Sequence, residues 1–365
     1  MTTLAGITWD HARGYDSVMA VARKYRERTG VAVHWDVRSL QAFADHPLPD
    51  LLGRYDLLVV DHPHIAAVAS AGLVLELGDT VEAIGASQRS YTYQERQYGY
   101  AIDAAAQVSA HRPDQLTDPP TSWPDMLELA RTGRVRWPAT PIDAYSTLLT
   151  LAAASGTPAL REPGVFLPAD QLSPVLAMMH ELAALVPADD LDHNPIQVAE
   201  ILCGENPWCY SPLLFGYTNY SRVGYRSARL AYRDMPAHHG SVRGALLGGA
   251  GVVVSAATAH PGAARQLASF LADAQVQRGV YFDGGGQPAH CAAWADPVLD
   301  AATLGFFSGT RETLDGAYVR PRHPRYVQFQ DLVSPRVTAA LRGESTDAGL
   351  IEGLNDAAER LLTSN

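Results

Sequence analysis

GITWDHARGYDSVMAVARKY, residues 6–25, decides the fold class of this chain. An apolar start is followed by a polar corner and then by apolar positions that recur at three- and four-residue spacing. That order predicts a strand, a loop and an amphipathic helix with one face in the core. The corner presents a carboxylate, an imidazole and a guanidinium together, at Asp10, His11 and Arg13.

The alternation of strand and helix patterns continues along the chain. YDLLVVDHP (55–63) has the continuous apolar run of a buried strand and ends on Asp61, His62 and Pro63. YGYAIDAAAQVSAHR (98–112) is a long extended stretch, which is a candidate for a crossing between two lobes. Strands that alternate with helices predict an α/β fold with mostly parallel sheets, whose ligands bind at the carboxyl ends of the strands. We therefore expect the first corner and the end of the 55–63 strand to face one cleft.

The composition excludes several classes of function. The chain has 365 residues and a formal net charge of −11, without a block of basic residues, so we expect no nucleic-acid partner. No apolar run approaches the roughly 20 residues of a membrane span. Lys24 is the only lysine, and it does not belong to a phosphate-binding GxxxxGK[ST] loop. Because neither HExxH nor GxSxG occurs, we predict no metal, no cofactor and no hydrolase triad.

Three segments, taken in order, resemble bacterial extracellular solute-binding proteins of the maltose-binding class. They are YDLLVVDHPHIAAVASAGLVLEL (55–77), YGYAIDAAAQVSAHRPDQL with TSWPDMLELA (98–116 and 121–130), and GGAGVVVSAATAHPGAARQLASFLADAQVQRGVYFDGGGQPAH (248–290). With the shorter matches around them, they run from about residue 6 to residue 330. The resemblance implies a two-lobed α/β fold of the type II periplasmic-binding-protein kind, with a hinge and a central cleft that closes on a small ligand.

Length and resemblance together predict two discontinuous lobes. The N-terminal lobe is expected to comprise residues 1–104 and 246–306, and the C-terminal lobe 105–245 and 307–365. The resemblance also implies a monomer that delivers its solute to an ABC permease. Because no charged and apolar leader precedes the first strand, we expect the chain as given in the cytoplasm, and in the periplasm or outside the cell if a leader was removed.

Polar, aromatic and glycine residues form the predicted binding site. Arg13 lies beside a helix start that favours anions, so it suits a ligand carboxylate or phosphate; the alternative is that Asp10 caps the helix and Arg13 is solvated. Aromatic rings in WCYSPLLFGYTNYSRVGY (208–225) suit a polar organic molecule, and the glycines of LLGGAGV and FDGGGQP allow close backbone approach. YVRPRHPRY (318–326) adds a second basic contribution. The predicted ligand contacts are Trp9, Asp10, His11, Arg13, Tyr15, Asp61, His62, Asp103, Tyr210, Phe215, Tyr217, Asn219, Gly249, Gln287, Tyr318 and Arg320.

Two functions from different classes fit these residues. In the first, the protein captures a small polar solute with an anionic group, which arginines and backbone amides neutralise while aromatic rings hold its body. In the second, it is a cytoplasmic enzyme that uses Asp10, His11, Asp61 or His62 as general acid and base in an elimination, isomerisation or cyclisation. The resemblance, together with the lack of a recognisable catalytic signature, favours the binding protein.

Overall fold

A computed structural model describes residues 2–38, 48–78 and 80–363. In chain order its strands are β1 (Thr3–Trp9), β2 (Ala32–Arg38), β3 (Leu57–Asp61), β4 (Thr92–Tyr93), β5 (Arg96–Gln97), β6 (Gly99–Ala101), β7 (Ala105–His111), β8 (Tyr210–Phe215), β9 (Ala231–Arg233), β10 (Leu247–Gly248) and β11 (Ala250–Val254). Its helices are α1 (Tyr15–Thr29), α2 (Leu48–Leu52), α3 (Ile65–Ser70), α4 (Trp123–Ala130), α5 (Pro141–Ala154), α6 (Ala169–Leu185), α7 (Pro195–Leu202), α8 (Pro261–Ala272), α9 (Ala274–Val276), α10 (Cys291–Trp294), α11 (Pro297–Ala302), α12 (Phe306–Gly309), α13 (Arg311–Asp315), α14 (Tyr326–Leu341) and α15 (Asp347–Leu362).

The chain divides into two compact units. Their segments are Met1–Ala104, Tyr217–Asn219 and Gly248–Asp300 for unit 1, and Ala105–Gly216, Tyr220–Leu247 and Ala301–Asn365 for unit 2. The predicted boundaries between the lobes follow residues 104, 245 and 306. Apart from the short segment Tyr217–Asn219, the boundaries between the two units follow residues 104, 247 and 300. The short return of Tyr217–Asn219 to unit 1 was not predicted.

A five-stranded mixed sheet in the order β2-β1-β3-β11-β6 forms the centre of unit 1. β1 pairs in parallel with β2 and β3, whereas β11 pairs antiparallel with both β3 and β6. The prediction of mostly parallel sheets is therefore wrong. The chain leaves unit 1 after β6 and returns just before β11 at the same edge of the sheet, so β11 must run against its neighbours.

The opening strand, loop and helix of unit 1 are confirmed. α1 packs on the sheet through an apolar stripe that includes Val18, Val21 and Tyr25, and these side chains join the core formed by β1, β3 and α8. Burying each large side chain contributes roughly 1.5–3 kcal/mol. Gly30 ends α1 in the left-handed conformation, with φ +75°.

Unit 2 is built on a smaller antiparallel sheet with helices around it. β7 pairs antiparallel with β8 and β9, and every residue of β7 is buried. α4 begins after Ser122, whose hydroxyl caps the helix by accepting a hydrogen bond from the Asp125 backbone N–H. α7 begins with a capping box between Asn194 and Gln197, which satisfies two exposed backbone donors at once.

Candidate functional site

One edge of the unit 1 sheet collects many of the predicted site residues. β1, β2 and β3 run in parallel, so the polar corner after β1 and the Asp61 end of β3 lie at the same edge. β6 ends at this edge too, since the register places Ala250 opposite Asp61 and Gly251 opposite Ala101. Asp103 lies two residues after the end of β6. The geometry of the sheet therefore brings together residues that are up to about a hundred positions apart in the chain.

The Arg13 guanidinium binds the Asp103 carboxylate in a bidentate pair. Its Nε donates to Asp103 Oδ2 over 2.6 Å, and its Nη2 donates to Oδ1. The two side chains are 5% and 1% exposed, so the whole pair is removed from water. Both residues were predicted to contact the ligand, and the structure shows that they contact each other.

Burial and ion pairing act in opposite directions on these two groups. Burial on its own would lower the pKa of Arg13, but the neighbouring Asp103 carboxylate more than offsets this and the pKa of Arg13 is raised. Burial raises the pKa of Asp103, and the Arg13 guanidinium opposes that rise. Because two guanidinium N–H groups donate to one carboxylate, the pair is held in its ionised form and carries no net charge.

Tyr217 covers this pair. Arg13 Cζ lies 4.4 Å from the centroid of the tyrosine ring, which is a cation–π contact. The His11 ring meets the same tyrosine edge-on, with 5.2 Å between the ring centroids. His11 Nδ1 also accepts a hydrogen bond from the Arg13 backbone N–H over 3.0 Å. Three predicted site residues thus pack around one another at the first corner.

Two buried amide side chains hold the Tyr217–Asn219 segment in unit 1. Gln287 Oε1 accepts a hydrogen bond from the Thr218 backbone N–H over 2.9 Å, while its Nε2 donates to a backbone carbonyl at the end of the 101–104 segment over 2.7 Å. Asn219 Nδ2 donates to the Gly285 carbonyl oxygen over 3.1 Å. Since Gln287 is fully buried, its amide serves as a fixed link between two backbone segments.

Gly249 and the 284–286 loop are places where a side chain would not fit. Gly249 has φ +96°, and a Cβ there would lie 2.3 Å from the Asp103 carbonyl oxygen. A Cβ on Gly284 would lie 2.8 Å from Ala20 Cβ on α1. The glycines therefore allow close backbone approach, and here that approach serves packing within unit 1.

The remaining polar residues of this edge differ in exposure. Asp10 and Asp61 are exposed, whereas His62 is fully buried. Arg38, the last residue of β2, is buried; burial lowers its pKa to about 10, and the Asp61 carboxylate opposes that shift. The exposed charges among these residues are thus carboxylates, while the arginines of the edge are buried.

Trp9 and Tyr15 belong to the core of unit 1. Trp9 is 7% exposed, and a Cβ on Gly14 would lie 2.4 Å from its ring, so the corner folds tightly over the indole. Tyr15 is the first residue of α1, is half-buried, and packs against the same apolar cluster. The structure gives both residues packing contacts in this core, and their contact with a ligand stays a prediction.

Four predicted site residues lie in unit 2. Tyr210 is fully buried in β8, with its hydroxyl 3.5 Å from a backbone carbonyl, and Phe215 is the half-buried last residue of the same strand. The Tyr318 hydroxyl donates to a backbone carbonyl over 2.8 Å. Arg320 is 8% exposed and binds Gln330 Oε1 over 3.1 Å. The basic contribution predicted for Arg320 is therefore directed at its own unit.

Tyr281 lies beside the Arg13–Asp103 pair and was missed by the sequence reasoning. It is fully buried, and its pKa is raised by burial and then by the nearby Asp103 carboxylate. A Cβ on Gly286 would lie 2.4 Å from its ring. An aromatic residue just before a run of glycines that must pack on a helix is the sequence signal that could have found it.

No family model and no curated protein matches this chain, but solved structures match nearly its full length. Maltose-bound MalE3 of T. maritima has a TM-score of 0.87 at 18% identity, with 99% of this chain and 100% of that chain covered. A ribitol-bound ABC transporter solute-binding protein of Agrobacterium radiobacter K84 has a TM-score of 0.85 at 17% identity, with 99% of each chain covered. The GacH receptor of Streptomyces glaucescens, solved unliganded and with acarbose, has a TM-score of 0.82 at 14% identity, with 100% and 99% covered.

These matches define the class of fold. The chain has the two-lobed, type II α/β fold of maltose-binding-like ABC solute-binding proteins, so the fold class and the resemblance predicted from the sequence are confirmed. Each of these three structures shares fewer than one residue in five with this chain, and such a likeness extends to the fold alone. Within the described residues, no helix has the length and apolar character needed to cross a membrane.

Proposed function

We propose that this protein is a solute-binding protein of the ABC-transporter type, which binds a small polar organic molecule and delivers it to a permease. The observation that carries the proposal is the near full-length match to binding proteins that hold maltose, ribitol and acarbose. The polar edge of the unit 1 sheet supports it, because carboxyl ends of strands are where α/β folds bind ligands. The resemblance of the sequence to these proteins further implies that two lobes close about a hinge on the bound molecule.

The ligand that this edge suits best is an uncharged, polyhydroxylated molecule. The prediction of an anionic group rested largely on Arg13, and that guanidinium is occupied by the Asp103 carboxylate. Asp10 and Asp61 are exposed at the same edge and would repel a carboxylate or phosphate. A solute with an anionic group is therefore the less favoured form of the proposal.

Matched pairs of neutral and acidic ligands test this proposal. Calorimetry on the full chain would compare ribitol with ribonate and maltose with maltobionate, since each acid adds one carboxylate to a similar polyhydroxylated body. We expect a neutral member to bind and its acid to bind at least about tenfold more weakly, a difference of about 1.4 kcal/mol. Tighter binding of the acids would reinstate the anionic solute. Native mass spectrometry of the purified protein provides the independent check, and a co-purified molecule that is neither polyol nor saccharide would contradict the polyhydroxylated ligand.

The acid–base enzyme is kept as a prediction with its own test. Asp61 and His62 are neighbours in sequence, but one is exposed and the other is fully buried, so they face different surroundings. An enzyme would convert the molecule that it binds. Incubating the protein with its bound solute and following the solute by NMR separates the two functions, because a binding protein returns it unchanged.

A further inference from the structure

A cavity of about 380 Å³ lies within unit 2, where the C-terminal end of α5 meets the segments 241–244 and 316–318. Small-molecule sites have volumes of about 300–1,000 Å³, so this cavity is large enough for a compact ligand. Its lining includes Arg161, Arg243, Ser241 and Tyr318, and no carboxylate belongs to the described residues that line it. None of these residues belongs to the group around Arg13.

The two arginines bring positive charge that is not neutralised within the protein. The guanidinium groups of Arg161 and Arg243 take part in no ion pair and no hydrogen bond with any residue that the structure describes. Other arginines of unit 2 hold carboxylates: Arg112 binds Asp114, Arg136 binds Asp190, and Arg226 binds Glu200. Two guanidinium groups that share one concave surface without a counter-ion suit an oxyanion, which each can bind through several N–H groups.

Close backbone packing beside the cavity positions the side chain of Arg243. A Cβ on Gly316 would lie 2.7 Å from Arg243 Cγ, so the stem of this arginine lies directly over the glycine. Gly244 has φ +101°, and its Cβ would lie 2.5 Å from the Ala154 backbone nitrogen at the end of α5. The close approach at these two glycines shapes the depression and places the arginine beside it.

Hydroxyl groups complete the lining. The Ser241 Oγ accepts a hydrogen bond from the Arg243 backbone N–H over 3.2 Å, which leaves its own proton for a ligand acceptor. The Tyr318 hydroxyl donates to the Ala159 carbonyl oxygen over 2.8 Å and so ties the 316–318 segment to the turn after α5. Burial raises the pKa of Tyr318, and the nearby Arg320 and Arg161 charges oppose that rise.

The helix end opposes an anion, but only weakly. The C-terminal end of a helix carries a partial charge of about −0.5, which acts against a bound anion. Several carbonyls of this end are already occupied: the Ala153 oxygen accepts from the Gly156 N–H, and the Ala152 oxygen accepts from the Thr157 N–H, both over 3.0 Å. Two full positive charges outweigh this partial charge.

We infer that this cavity is a second binding site, for a small molecule that carries an oxyanion, either a carboxylate or a phosphate, with Arg161 and Arg243 as its charged partners. The site lies entirely in unit 2, shares no residue with the group around Arg13, and takes an anion where the proposed solute is uncharged.

Titration of the full chain with inorganic phosphate and with citrate tests the site. We expect one of these anions to bind at low salt with a dissociation constant below about 1 mM and to be weakened by added sodium chloride. Phosphate and citrate represent the two kinds of oxyanion. The one that binds more tightly shows whether the site prefers a phosphate or a carboxylate. The double variant R161Q/R243Q should weaken binding at least tenfold, about 1.4 kcal/mol. Ser241→Glu, which places a carboxylate in the cavity, should abolish binding, whereas Ser241→Gln should retain it.

Arg265→Gln is the matched control, because Arg265 is an exposed arginine on α8 outside the cavity. It should leave anion binding unchanged, and thermal unfolding should show that every variant folds, since Arg161 and Arg243 are exposed. Failure of both anions to bind the unaltered protein at about 10 mM would overturn the inference. Binding that survives R161Q/R243Q, or that Arg265→Gln weakens equally, would also overturn it.

Discussion

Among the residues that the structure describes, each unit contains a buried arginine–aspartate pair, which is bidentate in unit 1 and joined by a single hydrogen bond in unit 2. In unit 1 Arg13 binds Asp103, and in unit 2 Arg136 Nε donates to Asp190 Oδ1 over 2.6 Å. The four side chains are at most 5% exposed. Each guanidinium also lies under an aromatic ring, 4.4 Å from a tyrosine centroid in unit 1 and 4.5 Å from a tryptophan centroid in unit 2.

The surroundings of the two pairs differ. Asp190 also accepts the Trp137 backbone N–H over 2.8 Å, while Arg136 Nη2 binds Asp189 over 3.0 Å and His193 over 3.1 Å. Asp189, Asp190 and His193 are close enough together to hold a metal ion, but the guanidinium already supplies the cation that they share. The unit 2 pair is thus a structural clasp.

The comparison teaches that a buried arginine–aspartate pair does not by itself identify a binding site. What distinguishes the unit 1 pair is its place at the carboxyl edge of a sheet, next to the exposed Asp10 and Asp61. The unit 2 pair ties one short backbone segment to another. The same local chemistry therefore joins backbone segments in unit 2 and lies, in unit 1, at the sheet edge where we propose that the solute binds.

Removing one arginine from either pair should have the largest effect. Arg136→Met and Arg13→Met each leave an aspartate buried without its counter-ion, so each should lower the free energy of unfolding by about 3–5 kcal/mol. Arg136→Met should cost at least as much, because that guanidinium also binds Asp189 and His193. Urea unfolding followed by tryptophan fluorescence measures both losses.

The paired double variant is the control for this prediction. Arg13→Met with Asp103→Leu removes both charges, and replacing a buried ion pair by apolar side chains is often neutral or stabilising by about 1–4 kcal/mol. We expect this double variant to recover most of the stability lost in Arg13→Met, while whichever neutral probe the unaltered protein binds is bound more weakly. Recovery of both stability and binding would reduce the unit 1 pair to a second structural clasp.

A buried aspartate without an arginine sharpens the comparison. Asp143, in the first turn of α5, is 5% exposed and accepts a hydrogen bond from the Thr140 hydroxyl. Burial raises its pKa to about 7, and Thr140 opposes that rise. An unfolded aspartate titrates near pH 3.9, so between about pH 4 and 7 the folded state holds the extra proton. The free energy of unfolding should therefore fall as the pH rises, by up to about 1.4 kcal/mol per pH unit.

Asp143→Asn tests this dependence. The variant has no proton to lose, so its stability should be flatter between pH 4 and 7 and higher than that of the unaltered protein at pH 8. Asp170→Asn is the matched control, because Asp170 is an exposed aspartate in the first turn of α6. Equal slopes in Asp143→Asn and the unaltered protein would place the titration elsewhere.

The sequence predicted the fold well because the fold depends on periodic apolar patterns. The run at β3, the stripe on α1 and the cap at Ser122 are each local, and each leads to one structure. The directions of the strands are not local. β11 runs antiparallel only because the chain has crossed to unit 2 and returned, which no pattern within Ala250–Val254 records.

The sequence identified residues that lie at the candidate site, but it did not show which of them bind each other. Arg13 and Asp103 were both selected, yet 90 positions separate them and nothing in either neighbourhood indicates that one neutralises the other. Trp9 was also predicted to contact the ligand. It lies next to the polar corner in sequence, but its side chain is buried in the core, which the sequence alone does not show. Arg136 was not predicted to take part in an ion pair, because the other residues of VRWPA (135–139) carry no polar side chain. Pairing between charged residues that are far apart in the chain is visible only in the three-dimensional structure.

Replacing the aromatic rings over the two guanidinium groups should have the smallest effects, and it should separate the two pairs most clearly by their influence on ligand affinity. Tyr217→Leu and Trp208→Leu each remove a cation–π contact worth about 0.5–2 kcal/mol from a half-buried position. Calorimetry with whichever neutral probe binds should show weaker binding for Tyr217→Leu, by about threefold or more, because Tyr217 covers the pair at the sheet edge. Trp208→Leu should lower the stability and leave the affinity unchanged, since its guanidinium belongs to the clasp. If both variants weaken the probe equally, the two pairs do not differ in function, and the distinction drawn from the sheet edge is wrong.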